Sequence, residues 1–438
     1  MMAALSTFVR VEPVFDLRLV LTTFLLCAAL TVAAHVRAQT VGASLDQVIA
    51  EALENNPDVK AARSEREAAE QRIAPAGALD DPMLEAGVLN LPTGSFSFQR
   101  EDMTMKMIGL SQRLSYPGKR GLRQDVATRE AAAVAYTAQE VGNKVRRDVQ
   151  MAYFDLSLIR ESIRITENNR RVVEQLSKLS EARYGVGQAS QADVLKAQTQ
   201  LSRMTDELIK LERERRTAEA ELSRVMGHSA DRPAPIPKAP ELWEGSLQQP
   251  ALGEAALTSR PELRALQARI ERNEKSVELA RKDYYPDFDV RLSYGQRDKT
   301  SAGERRDNMV SLTVAINLPI WGGTKQGPRV AEAVAIREQA ARMYEGRQNE
   351  VRSQLKQQLA IAEQSYRSAQ LYEKTVLIQA RLVVESALAS YRVNRVDFLT
   401  LLDSQMTVLN YEISLASAIV NQNKAVAEIE FITGKTIR

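Results

Sequence analysis

The chain has 438 residues, 26% charged and 44% hydrophobic, the mixture of a folded protein rather than a disordered one. Aromatic residues make up 5%, and 20 Gly with 15 Pro supply too little ring and turn material for a mostly β protein. A net charge of +3 gives no case for a nucleic-acid partner, and one Cys with two His argues against a disulfide scaffold or a His/Cys metal enzyme.

Arg10 and Arg18 precede an apolar run from Leu19 to Ala34, then Val36-Arg37-Ala38 and Gln39. This reads as a signal peptide over residues 1–38 with a small residue at the cleavage point. The run falls short of the ~20 residues a spanning helix needs, which disfavours the alternative of a membrane anchor. Leu26 before Cys27 is bulkier than a lipoprotein site prefers. Cleavage after Ala38 removes Cys27 and His35 and leaves His228 as the one histidine. Export without thiols suits an oxidising compartment.

No proline lies between Pro117 and Pro233, and none follows Pro328. Both stretches are rich in Ala, Leu, Gln, Glu, Lys and Arg, which favour helix. Apolar positions recur near every 3.5 residues. One series is Val145, Val149, Ala152, Leu156, Ile159 and Ile163; another is Leu201, Met204, Leu208, Leu211, Ala218, Leu222 and Val225, with Arg215 as a polar break. That is coiled-coil patterning. A near-continuous helix from Gly121 to Tyr184 would reach about 100 Å, far beyond a globular domain. An isolated rod is the plain alternative.

The halves also repeat one another. Leu53 matches Leu257, Pro57 matches Pro261, Pro82 matches Pro286 and Gly118 matches Gly322 at one constant offset. After a short insertion, Tyr184 matches Tyr391, Leu195 matches Leu402, Gln198 matches Gln405 and Gly227 matches Gly434. The expected organisation is a first repeat over 39–232, a Pro-rich linker over 233–250 and a second repeat over 251–438.

Before each pair of long helices come two short stretches of period-two alternation. Phe288, Val290, Leu292 and Tyr294 alternate with polar residues, as do Val310, Leu312, Val314, Ile316 and Leu318. Weaker versions occupy Met83–Leu89 and Met103–Leu114. Four strands cannot close a barrel on one chain, and lipid does not tolerate an open sheet edge. Three copies would supply twelve strands. A water-soluble hairpin packed on the helices is the alternative. The expected fold is mainly α with a small β part: antiparallel coiled-coil helices forming a trimeric tunnel, and four strands per protomer entering a 12-stranded transmembrane barrel.

Several motifs resemble the TolC-type outer-membrane efflux factor family over nearly the whole mature chain. They are Ala52-Leu-Glu-Asn-Asn-Pro57, Tyr116-Pro-Gly-Lys119 and Trp321-Gly-Gly323, with Tyr184-Gly-Val-Gly187 and Asp193-Val-Leu195 at one helix tip. At the other tip stand Tyr391-Arg-Val-Asn394 and Leu401-Leu-Asp403. The resemblance implies a homotrimer in the outer membrane of a Gram-negative bacterium, surrounded there by lipid. Its periplasmic tunnel would dock on a periplasmic adaptor and an inner-membrane RND-type pump. It implies no cofactor and no catalysis, and no phosphate loop, His-based triad or zinc-ligand spacing occurs in the sequence.

The resemblance also places a gate. Asp193 and Tyr391 fall on constriction positions and Asp403 on an aspartate-ring position. The family's second ring aspartate falls at Thr400 and its gate arginine at Val396, one residue from Arg395. Solvated helix-face carboxylates are the plain reading of Asp193 and Asp403, and packing that of Tyr391. Gly185, Val186 and Gly187, with Val393 and Asn394, resemble the adaptor-contact tips; the same glycines also suit helix turns.

For cargo, Met103, Met105 and Met107 alternate on one strand and Met83 lies nearby. Thioethers suit soft cations, although such a stripe more often packs. In register with the second half, Met105 and Met107 face the lumen, and Lys106 then points outward, acceptable only near the rim. The region from Asp81-Pro-Met83 to Tyr116-Pro-Gly-Lys119 resembles the heavy-metal branch (copper/silver or cobalt–zinc–cadmium). Heavy-metal export is expected. Drug or protein export through the same duct, a periplasmic adaptor and a secreted structural rod are the rivals.

Overall fold

The computed structural model describes residues 43–229 and 232–437. The signal-peptide reading over 1–38, with Cys27 and His35, lies outside the described residues.

Three short helices lead in: α1 (Leu45–Asn55), α2 (Pro57–Gln71) and α3 (Ile73–Gly77). Ser44 starts α1 through a capping box with Gln47, and Asn56 both ends α1 and caps α2 ahead of Pro57. Strands β1 (Met83–Leu89) and β2 (Met105–Leu114) follow, then α4 (Lys119–Gly185) and α5 (Gln191–Val225). The second half runs α6 (Gln249–Thr258), α7 (Pro261–Lys282), β3 (Phe288–Gln296) and β4 (Met309–Ile316). A π turn over Gly322–Gln326 opens α8 (Gly327–Leu371); a second π segment, Tyr372–Val376, joins it to α9 (Leu377–Arg392), and α10 (Phe398–Thr433) closes the chain. Helix α4 has 67 residues, about 100 Å of unbroken helix, as its lack of proline predicts. Two strands are shorter than their alternation suggests: β2 begins at Met105 rather than Met103, and β4 ends at Ile316 rather than Leu318. At β2 the cause is a loop closure, in which Thr104 Oγ1 donates to the Asn90 carbonyl at 2.7 Å with Asn90 at φ 53°.

The strands form one antiparallel sheet in the order β1-β2-β3-β4. Within the described residues β1 pairs only with β2, and β4 only with β3. Both outer edges are open. Sheet and helices meet at Lys119, whose buried ammonium donates to the Tyr285 carbonyl and to Asp287 Oδ1, both at 2.9 Å. Gly118, at φ 90°, turns the chain out of β2 into α4. Tyr116 stacks on Tyr285 with ring centroids 4.5 Å apart.

The helical cores follow the heptad positions. Val145, Val149, Ala152 and Leu156 of α4 pack with Leu222, Val225 and Met226 and with Val48 and Ile49 of α1. Nearer the tips, Val173, Ala197, Met204, Tyr391, Phe398 and Leu401 join both hairpins in one cluster. A third cluster holds Leu263, Val351, Ile429 and Ile432. Arg215, the polar break in the α5 series, is held by Glu212 at 2.6 Å and Glu219 at 2.5 Å. The proline-rich 233–250 segment lies extended along the helices up to residue 248, and its last two residues, Gln249 and Pro250, begin α6: Ala43 N–H bonds to the Ile236 carbonyl, and Lys238 N–H to Tyr153 Oη.

Candidate functional site

The two hairpin tips are built alike. At the first, Gly187 N–H bonds to the Tyr184 carbonyl at 3.0 Å and Gln188 N–H to the Arg183 carbonyl at 2.8 Å. At the second, Asn394 N–H bonds to Tyr391 at 3.2 Å and Arg395 N–H to Ser390 at 2.9 Å. These are Schellman turns, which need one left-handed residue. Gly187 fills it at φ 75° and Asn394 at φ 60°. Val186 and Val393 project from the turns, 70% and 63% exposed, and Gly185 and Gly187 are exposed beside Val186. The five residues expected at the adaptor-contact tips therefore share two exposed, geometrically matched turns.

Arg183, in the last turn of α4, joins the tips. Its buried guanidinium donates to the Tyr391 carbonyl and to Asn394 Oδ1, and lies 4.6 Å from the Tyr391 ring centroid. Tyr391 is buried against Phe398, and its hydroxyl has no protein partner within the described residues. Burial pushes the Tyr391 phenol above its usual range; the Arg183 charge opposes the shift and Asp193 adds to it. Asp193 thus lies within electrostatic reach of Tyr391, while its carboxylate also accepts from Ser190 N–H at 3.2 Å in the capping box that starts α5. Sequence reasoning passed over Arg183, although a basic residue in the last helical turn directly before Tyr184-Gly-Val-Gly187 was a signal for it.

The remaining expected gate residues stand apart. Arg395 and Asp403 are exposed, and neither forms an ion pair within the described residues. Asp397, not singled out from the sequence, caps α10 by accepting from Thr400 N–H at 2.9 Å. Above the tips, a polar chain crosses three helices: Gln405 Nε2 donates to Asn169 Oδ1 at 2.7 Å, and Asn169 Nδ2 to Glu412 at 2.9 Å. Arg381 reaches the same carboxylate at 2.8 Å.

The sheet has two chemically distinct faces. Register aligns Leu84, Ile108, Leu110, Leu292, Tyr294, Val310, Leu312 and Val314 on one face, all between 44% and 71% exposed. Trp321, just past β4, is 66% exposed, as expected of an aromatic at a membrane interface. The other face carries Glu85, Ser111, Arg113, Asp289, Arg291, Ser293, Ser311 and Thr313, with Arg291 and Glu85 paired at 3.0 Å. Met83, Met105 and Met107 share this polar face. They are not together: Met83 pairs with Ser111 at the helix-proximal end, whereas Met105 pairs with Leu89 at the other. Met103 lies in the turn before β2, half exposed. Lys106, on the apolar face, sits beside the loops, 3.2 Å from Asp298 and over the Phe98 ring.

An apolar outer face, a polar inner face and two unpaired edges beside long helices describe part of a membrane barrel with a helical extension. The sequence profile of the outer membrane efflux proteins matches residues 48–228 and again 252–435. The chain belongs to that family. This outer membrane efflux protein places its sheet in the outer membrane and its long helices in the periplasm, and the family consists of channel proteins. It is 23% identical over 404 residues to the cobalt-zinc-cadmium resistance protein CzcC of Cupriavidus metallidurans, covering 90% of each chain. Its fold matches the crystal structure of CusC with a TM-score of 0.77 at 16% identity, over 90% of this chain and 93% of CusC. The outer membrane protein VceC of Vibrio cholerae gives 0.76 at 18% identity, over 90% and 97%. At these identities the structural likeness is one of fold.

Proposed function

We propose that this outer membrane efflux protein acts as a homotrimeric exit duct without catalytic activity, carrying heavy-metal cations from an inner-membrane pump and a periplasmic adaptor to the exterior. The observation that carries the trimer is the pair of open edges on the sheet. An unpaired edge in lipid leaves a row of N–H and C=O groups unsatisfied, each costing several kcal/mol. Pairing β4 of one copy with β1 of the next removes every edge once the ring closes, and three copies give an even-stranded barrel of ordinary size. The two internally similar halves, 39–232 and 251–438 about the 233–250 linker, would then alternate around the tunnel.

The tips are the gate in this reading. Asp193, Tyr391 and Arg183 hold the constriction, Asp403 contributes one carboxylate per copy to a cation-favouring ring, and Arg395 stands beside it. Gly185, Val186, Gly187, Val393 and Asn394 form the surface offered to the adaptor. Metal cargo is supported by the resemblance to CzcC, whose name records cobalt, zinc and cadmium resistance. Selectivity belongs to the pump, since a wide duct discriminates poorly. A deletion strain tested for growth on cobalt, zinc, cadmium, copper and silver salts checks the cargo, with sensitivity expected in the deletion and resistance restored by the intact gene. Recovery of a heat-sensitive trimer from the outer-membrane fraction checks the assembly. Sensitivity to drugs alone would transfer the duct to drug export.

A further inference from the structure

Three methionines lie around one glycine on the polar face of the sheet, two on β2 and one on β4. Gly295 of β3 pairs with Met107 of β2 on one side and with Met309 of β4 on the other. Met105, two residues from Met107 on the same face, leans across: a Cβ at Gly295 would collide with its Sδ. Met105 is 9% exposed, and Met107 and Met309 are half-buried. A glycine without a side chain thus leaves a recess on the polar face of the sheet that the Met105 thioether occupies, with Met107 and Met309 flanking the same glycine on the neighbouring strands. Directly paired residues have Cα atoms about 4.5–5.5 Å apart, so the long, flexible side chains of Met107 and Met309 can reach toward one point above Gly295. The recess lies at the loop end of the strands, since Met105 pairs with the last residue of β1 and Met309 begins β4.

We propose that Met105, Met107 and Met309 form a binding site for a soft monovalent cation of the Cu(I) or Ag(I) class at the outer end of the duct, resting on the reading that the polar face lines a path for heavy-metal cations. Thioethers are neutral, soft donors, so they select Cu(I) and Ag(I) and leave Zn(II), Co(II) and other harder cations in water. The described residues contain no cluster of three or more His, Cys, Asp or Glu arranged to hold a metal, so a borderline cation finds no better site elsewhere among them. A three-thioether recess is partly open to the lumen and releases its cation readily, as an exit station requires. Met83 and Met103 lie outside it and serve as internal controls.

The test is Ag(I) titration of the full-length protein, purified from the outer membrane in detergent and followed by calorimetry. Variants are M105L/M107L/M309L and, as control, M83L/M103L; leucine conserves volume and keeps the barrel packed. The expected result is one Ag(I) per protomer in the wild type and the control, weakened about tenfold or more in the triple variant, with Zn(II) failing to compete. Equal Ag(I) binding by the wild type and the triple variant overturns the site, as does the lack of any Ag(I) binding by the wild type. Single-channel conductance of the triple variant verifies that its barrel is intact. The duct reading fails separately: Ag(I) binding without metal sensitivity of the deletion strain leaves the site standing and removes the cargo assignment, and sensitivity without binding does the reverse.

Discussion

The Arg183 guanidinium at the end of α4 donates to the Tyr391 carbonyl at the end of α9 and lies 4.6 Å from the Tyr391 ring centroid, tying the two helical hairpins at their tips. A buried hydrogen bond to a charged group contributes about 1.5–3 kcal/mol, and a desolvated cation–π contact about 2 kcal/mol. Arg183→Ala removes both and leaves the Tyr391 carbonyl without that donor. Conductance in planar bilayers should rise as the tips separate, with Arg183→Lys intermediate because an ammonium cannot donate in a fork. Wild-type conductance in Arg183→Ala would show that the tie does not restrain the tip.

Asn394 serves the same clasp in two ways, by adopting the left-handed turn and by offering Oδ1 to Arg183. The two roles separate by substitution. Asn394→Gly keeps the turn and loses the acceptor, so it should reproduce part of the conductance rise with little change in trimer melting. Asn394→Val forces a β-branched residue into a conformation that costs about 1–2 kcal/mol even for ordinary side chains, and should lower the melting temperature.

Asp403 is exposed on α10, so Asp403→Asn should leave the fold intact. In the proposed ring, three symmetry-related carboxylates would concentrate cations, and their neutralisation should shift the reversal potential in a salt gradient toward lower cation preference. An unchanged reversal potential would return Asp403 to the solvated helix face.

The faces of the sheet make opposite predictions for neighbouring residues. Leu312, 69% exposed on the apolar face, should meet lipid, and Leu312→Arg should cost about 2–4 kcal/mol near the bilayer midplane and reduce the assembled trimer in outer membranes. Thr313→Arg, on the polar face, should assemble normally and alter ion selectivity instead. Immunoblots of membrane fractions compare the two.

Asp287 links the sheet to the tunnel. Burial raises its pKa, but the Tyr116 N–H at 2.8 Å and the Lys119 ammonium at 2.9 Å outweigh burial and hold the carboxyl below its ordinary range. A depressed folded pKa contributes stability that is present above the unfolded value, near 3.9, and is lost as pH falls through the lowered one. Trimer melting temperature should therefore fall on the acid side of pH ~4 more steeply in the wild type than in Asp287→Asn. The variant should be less stable at neutral pH, where it leaves Lys119 with Asp283, 3.8 Å away, as its remaining ion-pair partner.

The unbroken α4 was legible because helix propensity and the absence of proline act locally, residue by residue. The strands were legible because alternation survives wherever one sheet face is apolar, and two of their ends slipped, at Met103 and Leu318; at Met103 loop closure rather than patterning decides. The tip motifs pointed to Asp193, Tyr391 and Asp403. The basic residue before the first tip motif marked Arg183 locally, but its partners lie 208 and 211 residues away, and no local period records which hairpin end meets which.

Sequence alone determined that this chain builds long helices and two pairs of short strands, because each depends on the conformational preferences of neighbouring residues. Tertiary structure alone decided that Arg183 spans the two hairpins, that Met83 stands apart from Met105 and Met107, and that Met309 joins them around Gly295. Those relationships depend on hairpin alignment and strand register, which are set by the packing of the whole chain. A register change of one residue would send every one of these methionines to the opposite face.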